Sequence, residues 1–357
     1  MKITRTAALG IATLGLALVI AGPLLPGGER LVRNDPPRTG HVTDLARASD
    51  GSILAGTQDG ELWHLSNGVW RRVPVDLGGQ PVTALAADLT GDPARGPIGT
   101  AGGLVNPPPG VPPLNERITD EQPTRNGLVV ATGEGLLIQR GDRWERVLED
   151  VFMYRLEPQT HDGGEYLHAG SVGQGVFTAV VDDLVHWRPN RNGLPEGRNV
   201  FSFVQSTGGY LIAGSDQGLY WQPAPFTPWQ PLRVGLERSR MLSLLLQPAE
   251  RDAAQRLWIG TDTGLHRVAL TEDEQGLAAT AYAELIEAPP EHVRYGISWI
   301  VPFGDGILFS AGAVYQYGPT GLAAWYLISL AGVVLILLGG WLMPARNPAG
   351  EQPTVPR

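Results

Sequence analysis

Four carboxylates recur in this chain just ahead of a glycine: Asp59, Glu134, Asp216 and Asp262, before Gly60, Gly135, Gly218 and Gly264. A ring of such groups could hold a cation or work as general acid and base. The corresponding place before Gly175 holds Gln174, which a cooperative metal ring would not tolerate. Asp beside a turn glycine also bonds its own backbone, so turn structure is the reading. The seven histidines (His41, His64, His161, His168, His186, His266 and His292) show no His-x-x-x-His or His-Glu-x-x-His spacing. There is no G-x-S-x-G elbow, no phosphate-binding Walker loop and no cysteine. No catalytic, cofactor-binding or metal-ligating residue is therefore assigned, and no cofactor is expected.

The elements that would position these groups follow from a repeated phrase. It runs through ILAGTQDGELWHL (53–65), VVATGEGLLIQ (129–139), YLHAGSVGQGVFTA (166–179), YLIAGSDQGLYW (210–221) and LWIGTDTGLHRV (257–268). The turn glycines Gly60, Gly135, Gly175, Gly218 and Gly264 lie 75, 40, 43 and 46 residues apart. A period in the low forties with four short strands per unit is the signature of a β-propeller blade. Around the phrase, VTDLARA (42–48), the turn SNG (66–68) and VWRRV (69–73) complete a first blade of alternating strands.

The spacing predicts an all-β, six-bladed propeller over 41–317, with seven as the alternative count. A sixth blade, ISWIVPFGDGILFSAGAVYQY (297–317), lacks an outer strand, which Leu31 and Val32 could supply to close the ring. The long first spacing is read as a Pro/Gly-rich insertion at 88–126 that projects from one face of the disc and docks a partner. Trp63, Trp70, Trp144, Trp187, Trp221, Trp229 and Trp258 fall at repeat positions and should wedge between blades; carbohydrate stacking is the sharper alternative.

Net charge is −9, and the termini are basic, so the middle is more acidic still. That excludes a nucleic-acid partner, which needs a basic face. Two uncharged segments bracket the repeats. Residues 6–28 follow Lys2 and Arg5 and read as a transmembrane helix or signal anchor, with a cleaved signal peptide as the alternative. Residues 322–343 read as a second transmembrane helix edged by Trp325, Tyr326 and Trp341. Arg346 and Arg357 make the tail 344–357 cytoplasmic, which places the propeller on the extracytoplasmic (periplasmic) side of the cell membrane. Thr13, Ala17 and Ala21 form a small-residue stripe that could face Ala331, Gly332 or Gly339.

LWIGTDTGLHRV resembles the repeat of the two-component regulator propellers, and NGVWRRV and GDRWERV resemble the outer strands of the photosystem II stability/assembly factor-like propellers. No full S-x-D-x-G-x-T-W Asp-box is present; SDQGLYW (215–221) comes nearest. The resemblance implies a non-enzymatic protein-interaction scaffold, an accessory subunit or assembly factor of a membrane protein complex. The alternatives are a ligand-sensing propeller that signals to a separate protein, and a sialidase-like glycan-active enzyme. Three arginines gathered in one mouth of the channel would favour the enzyme.

Overall fold

A computed structural model describes residues 4–24, 26–37, 39–86, 94–248, 254–273, 276–321 and 325–343. The chain divides into two compact units, Leu31–Tyr317 and the two terminal segments Met1–Arg30 and Gly318–Arg357.

The larger unit is a propeller of seven blades. Blade I consists of Val42–Arg47, Ile53–Thr57, Leu62–Ser66 and Val69–Val73, each strand antiparallel to the next. Blade II has Val82–Leu85, Ile98–Thr100 and Gly103–Val105. Blade III begins with Ile118–Thr124, blade IV with Met153–His161, blade V with Val200–Gln205, blade VI with Met241–Gln247 and blade VII with Trp299–Phe303. Blade VII is completed by Gly306–Ser310, Val314–Gly321 and, outermost, the N-terminal strand Pro26–Arg33. The ring therefore closes as the sequence suggests, through the strand that carries Leu31 and Val32.

The count of six is corrected to seven, and the reason lies in 88–126. That stretch is not an insertion in one blade. It supplies the second and third strands of blade II and the innermost strand of blade III; residues 87–93 lie outside the described residues. Gly103, at φ +145°, is the turn glycine missing between Gly60 and Gly135. Where a fourth strand would run, the chain reads NPPPGVPPL. Proline has no N–H to give a ladder, so this run covers the blade edge without pairing along it. It buries Val111 and Leu114, and Leu104 N donates to the Leu114 carbonyl at 3.1 Å.

Two devices hold the ring. Each neighbouring pair of blades shares an apolar cluster: Leu54 and Val73 with Val82 and Ile98, for example, or Val42 and Trp70 with Leu308 and Val314. Trp70, Trp187, Trp221, Trp229 and Trp258 are buried in these seams and Trp63 and Trp144 partly so, which is the packing role expected of them. Hydroxyls then stitch one blade to the next. Thr43 donates to the Val82 carbonyl (2.6 Å), Thr83 to Ile118 (2.6 Å), Thr119 to Met153 (2.8 Å), Ser202 to Met241 (3.0 Å), Ser243 to Ile297 (2.8 Å) and Ser310 to Val42 (2.9 Å). Each such bond contributes about 1 kcal/mol and fixes the blade-to-blade register.

In the smaller unit, helices Arg5–Ala21 and Trp325–Trp341 pack closely. A Cβ on Gly15 would lie 2.5 Å from the Gly332 carbonyl oxygen, and one on Gly339 would lie 2.8 Å from that of Ala8. Gly332 and Gly339 are thus contact residues, as expected. The facing stripe is Ala8, Ala12 and Gly15 instead of Thr13, Ala17 and Ala21; Thr13 and Ala17 are exposed. Small residues let the two backbones approach where the first helix has least bulk. Arg5–Leu24 is long and apolar enough to cross a membrane, while Trp325–Trp341 is a shorter apolar helix. Residues 344–357, read as a cytoplasmic tail, lie outside the described residues.

Candidate functional site at the channel mouth

The innermost strands surround a central channel, and one residue of each sets its chemistry. Every innermost strand opens with a buried apolar residue (Val42, Val82, Ile118, Met153, Val200, Met241, and Ile297 just before blade VII). Two residues on stand Asp44, Ala84, Asp120, Arg155, Ser202, Ser243 and Trp299. In blades I, II, IV, V and VI that position faces a glycine of the second strand, as in Asp44 opposite Gly56. The glycine is required by close approach of the next blade: a Cβ on Gly56 would sit 2.3 Å from the Val82 side chain.

Arg155 crosses this ring. Its guanidinium carbon lies 3.8 Å from the centroid of the Trp299 ring, which belongs to a blade that is not its neighbour. Trp299 is held in turn by Nε1–H donating to the Thr43 carbonyl at 2.8 Å. Arg155 and Trp299 line both cavities of the channel and so divide it into a waist of about 260 Å³ and a mouth of about 480 Å³.

The waist is acidic. Asp120, Glu121 and Glu157 line it, and Asp44 is wholly buried beside them. Asp120 accepts from the backbone N–H groups of Glu121 (2.9 Å) and Leu156 (2.7 Å) and lies 3.7 Å from Arg155 Nη1. Among the described residues no hydrogen bond of ordinary geometry reaches the carboxylate oxygens of Asp44 or Glu121; backbone groups of Leu45 and Leu85, and of Ala86 and Gly99, only weakly favour their charged forms. Burial is the main reason that Asp44 and Glu121 are pushed up to about 8, with the Asp120 charge adding to it in both. Glu157, only partly accessible, is raised to about 8 by the same burial, against the pull of Arg155. Burial also raises Asp120, with Arg155 opposing. At neutral pH Asp44, Glu121 and Glu157 largely keep their protons. A buried carboxyl is far cheaper neutral than ionised.

The mouth is the opposite. Arg117, Arg155 and Arg294 line it, together with Phe152, Tyr154 and Tyr295. No carboxylate lines it among the described residues. Arg117 precedes the innermost strand of blade III, and Arg294 sits on a short helical turn, His292–Tyr295, that leads into blade VII. Both are exposed, and among the described residues neither forms a salt bridge. His41 stacks on Tyr295 with ring centroids 3.8 Å apart, and burial above all lowers its pKa.

The structure does not bring the recurring acids together. Asp59, Glu134 and Asp262 are exposed on separate turns. Asp216 accepts from Arg198 Nη1 at 3.1 Å, and Asp262 from the Arg240 N–H at 3.2 Å, each clamping a neighbouring loop. The turns themselves are capped by a hydroxyl that ends the second strand. Thr100, Thr132, Ser171, Ser215 and Thr261 each donate to the carbonyl of their turn glycine. Among the described residues no group of three or more His, Asp or Glu is arranged to hold a metal ion. His168 is buried between Thr178 and Gln159 at 2.8 Å each, and burial lowers its pKa to about 3.

Three arginines in one mouth are the feature set above as favouring a glycan-active enzyme. Such an enzyme also needs a tyrosine nucleophile activated by a carboxylate. The chain has a close pair of that kind, Tyr315 O–H donating to Glu291 at 2.6 Å, but neither residue lines the mouth. Burial, with the Glu291 contact adding to it, pushes Tyr315 up to about 12, away from nucleophilicity.

No family model matches the chain, and no curated protein matches it. Solved structures do. The WD40 β-propeller domain of Doa1 superposes with TM-score 0.57 at 12% identity, covering 84% of this chain and 98% of that one. YCF48 bound to D1 peptide gives 0.56 at 14% identity, covering 82% and 95%. The extracellular domain of the hybrid two-component system BT3049 of B. thetaiotaomicron gives 0.51 at 16% identity, covering 82% of this chain and 42% of that one. The likeness is one of fold. It agrees with both resemblances read from the repeats.

Proposed function

We propose that this chain is a membrane-anchored, extracytoplasmic propeller that binds a protein partner at its channel mouth and performs no chemistry of its own. The observation that carries this reading is the mouth: an open cavity of about 480 Å³ in which Arg117 and Arg294 form no salt bridge among the described residues, with exposed aromatic rings beside them on a ring of blades. Peptide binding by a protein of this fold gives the reading a precedent. Membrane anchoring is supported by the helix pair. Leu14, Leu16 and Ile20 on one helix and Leu330, Val334 and Leu337 on the other are all exposed, and apolar helices of this kind need lipid around them. Such a protein acts as an accessory subunit or assembly factor, because anchoring restricts it to partners of the same membrane and raises their local concentration.

A photo-crosslinking residue placed at Phe152, on the mouth, tests this in the intact membrane. Discrete partner adducts are expected there and not from Val69, on the exposed outer strand of blade I. Equal labelling from both positions, or none from Phe152, would overturn the assignment. A second reading, a sensor, draws on chain order: Pro26–Arg33 follows the first helix and Val314–Gly321 precedes the second, and both strands belong to blade VII. Partner adducts that change with a soluble ligand would select it.

A further inference from the structure

From the chemistry of the mouth we infer the kind of partner segment it takes: a short acidic peptide stretch with two neighbouring side-chain carboxylates and an adjoining large apolar side chain. This rests on the mouth being the binding site, as proposed above. Charge is the first argument. In a chain of net charge −9, Arg117 and Arg294 are exposed and without salt bridges among the described residues, and both face a cavity that no carboxylate lines. Arg155 completes the set from below, its charge shared 3.7 Å away with Asp120. One carboxylate would leave this field half unmatched, whereas two neighbouring ones pair with Arg117 and Arg294 as planar guanidinium–carboxylate contacts.

The second argument is the apolar side of the cavity. Phe152 and Tyr154 are each more than a third exposed, and Tyr154 packs edge-on against Phe201 at 5.1 Å between centroids. These rings offer a shelf for one large apolar residue beside the charges. The third is the floor. Arg155 stacked on Trp299 closes the cavity above the waist, so a negative segment entering the mouth ends on a cationic floor and goes no deeper. Asp59 and Glu134 stand on exposed turns outside the lining.

The probe is an end-blocked, fluorescently labelled hexapeptide with adjacent aspartate and glutamate between leucine and phenylalanine, titrated with the full chain in mild detergent. Blocked ends remove any terminal carboxylate. The acidic peptide should bind, and its asparagine/glutamine counterpart should bind at least tenfold more weakly. Arg117→Gln and Arg294→Gln should each weaken binding roughly fivefold to tenfold, with melting unchanged because both side chains are exposed and unpaired. Arg294→Lys should retain part of the affinity, and Arg143→Gln, on the outer strand of blade III, should retain all of it. The inference is overturned if the neutral peptide binds as well, if the double variant Arg117→Gln/Arg294→Gln binds normally, or if free glutarate competes at the peptide's own concentration. Phe152 adducts in the membrane together with no binding of the acidic peptide would sink this ligand class while leaving the mouth as the binding site.

Discussion

The two ends of one channel, built from the same strands and a few residues apart, carry opposite chemistry. At the mouth Arg117 and Arg294 are exposed and, among the described residues, form no salt bridge and meet no carboxylate in the lining. At the waist Asp44, Asp120 and Glu121 are buried, and among the described residues Asp44 and Glu121 have no hydrogen bond of ordinary geometry. Water explains why one end stays charged and the other does not. An exposed guanidinium keeps its solvation until a ligand replaces it, whereas a buried carboxyl has lost its solvation and holds its proton instead. The mouth is thus poised for an anion, and the waist beneath it is lined by carboxyls that are mostly neutral. Arg155 belongs to both, and its stacking on Trp299 marks where one regime gives way to the other.

The largest effect is expected from removing that boundary. Arg155→Leu should destabilise the propeller by about 3–5 kcal/mol, because Asp120 loses its cation in a buried setting and Trp299 loses the guanidinium stacked on it; thermal melting would show it. If the variant melts normally, the waist does not depend on Arg155 and the division is wrong. Next comes Gly135→Val, on a turn at the mouth face. Its φ is +137°, and a Cβ would lie 1.9 Å from the Leu148 carbonyl oxygen. A cost of about 3 kcal/mol or more is expected, against about 1 kcal/mol for Gly218→Val, where the nearest atom is 3.4 Å away.

A pH series separates the two ends further. Asp44, Glu121 and Glu157 stand at about 8 when folded, above their unfolded values, so the folded chain binds more protons and their contribution falls as pH rises from about 4 to 8. His168, at about 3 when folded, acts oppositely, its contribution rising between pH 3 and 6.5. Between pH 6.5 and 8 the carboxyls act without it, and the melting temperature should fall across that interval. Glu121→Gln should make the fall shallower; an unchanged slope would mean that Glu121 is already ionised. The smallest effect belongs to the stitching between blades. Thr83→Val removes one bond to the Ile118 carbonyl and should cost about 1 kcal/mol, measured by denaturant unfolding.

Much of this ring can be read in the sequence, because the turn glycines and the alternation beside them are local. Blade II escaped that reading for physical reasons. Its second and third strands are three residues each, and a proline run replaces the fourth. What marks it is Thr100 followed by Gly103, the same hydroxyl-to-glycine clamp as Thr132 with Gly135. The mouth was harder still. Arg117, Arg155 and Arg294 come from three blades and meet only through closure of the ring. One signal was available: counting two residues on from each strand's opening apolar residue gives Asp44, Ala84, Asp120, Arg155, Ser202, Ser243 and Trp299, a column aligned by the innermost strands and not by the repeated phrase. Arg294 has no such mark, being on the turn His292–Tyr295 between blades.

The seam of blade VII also sets a clock. Its outermost strand ends at Arg33, while its partner strand begins at Val314. A ribosome adding about 5–20 residues per second leaves the first strand waiting on the order of tens of seconds for the last. During that interval an exposed edge and the unpaired flanks of blades I and VI are open to wrong partners. The time before closure, more than the strength of the closed ring, decides how much help this chain needs while it is being made.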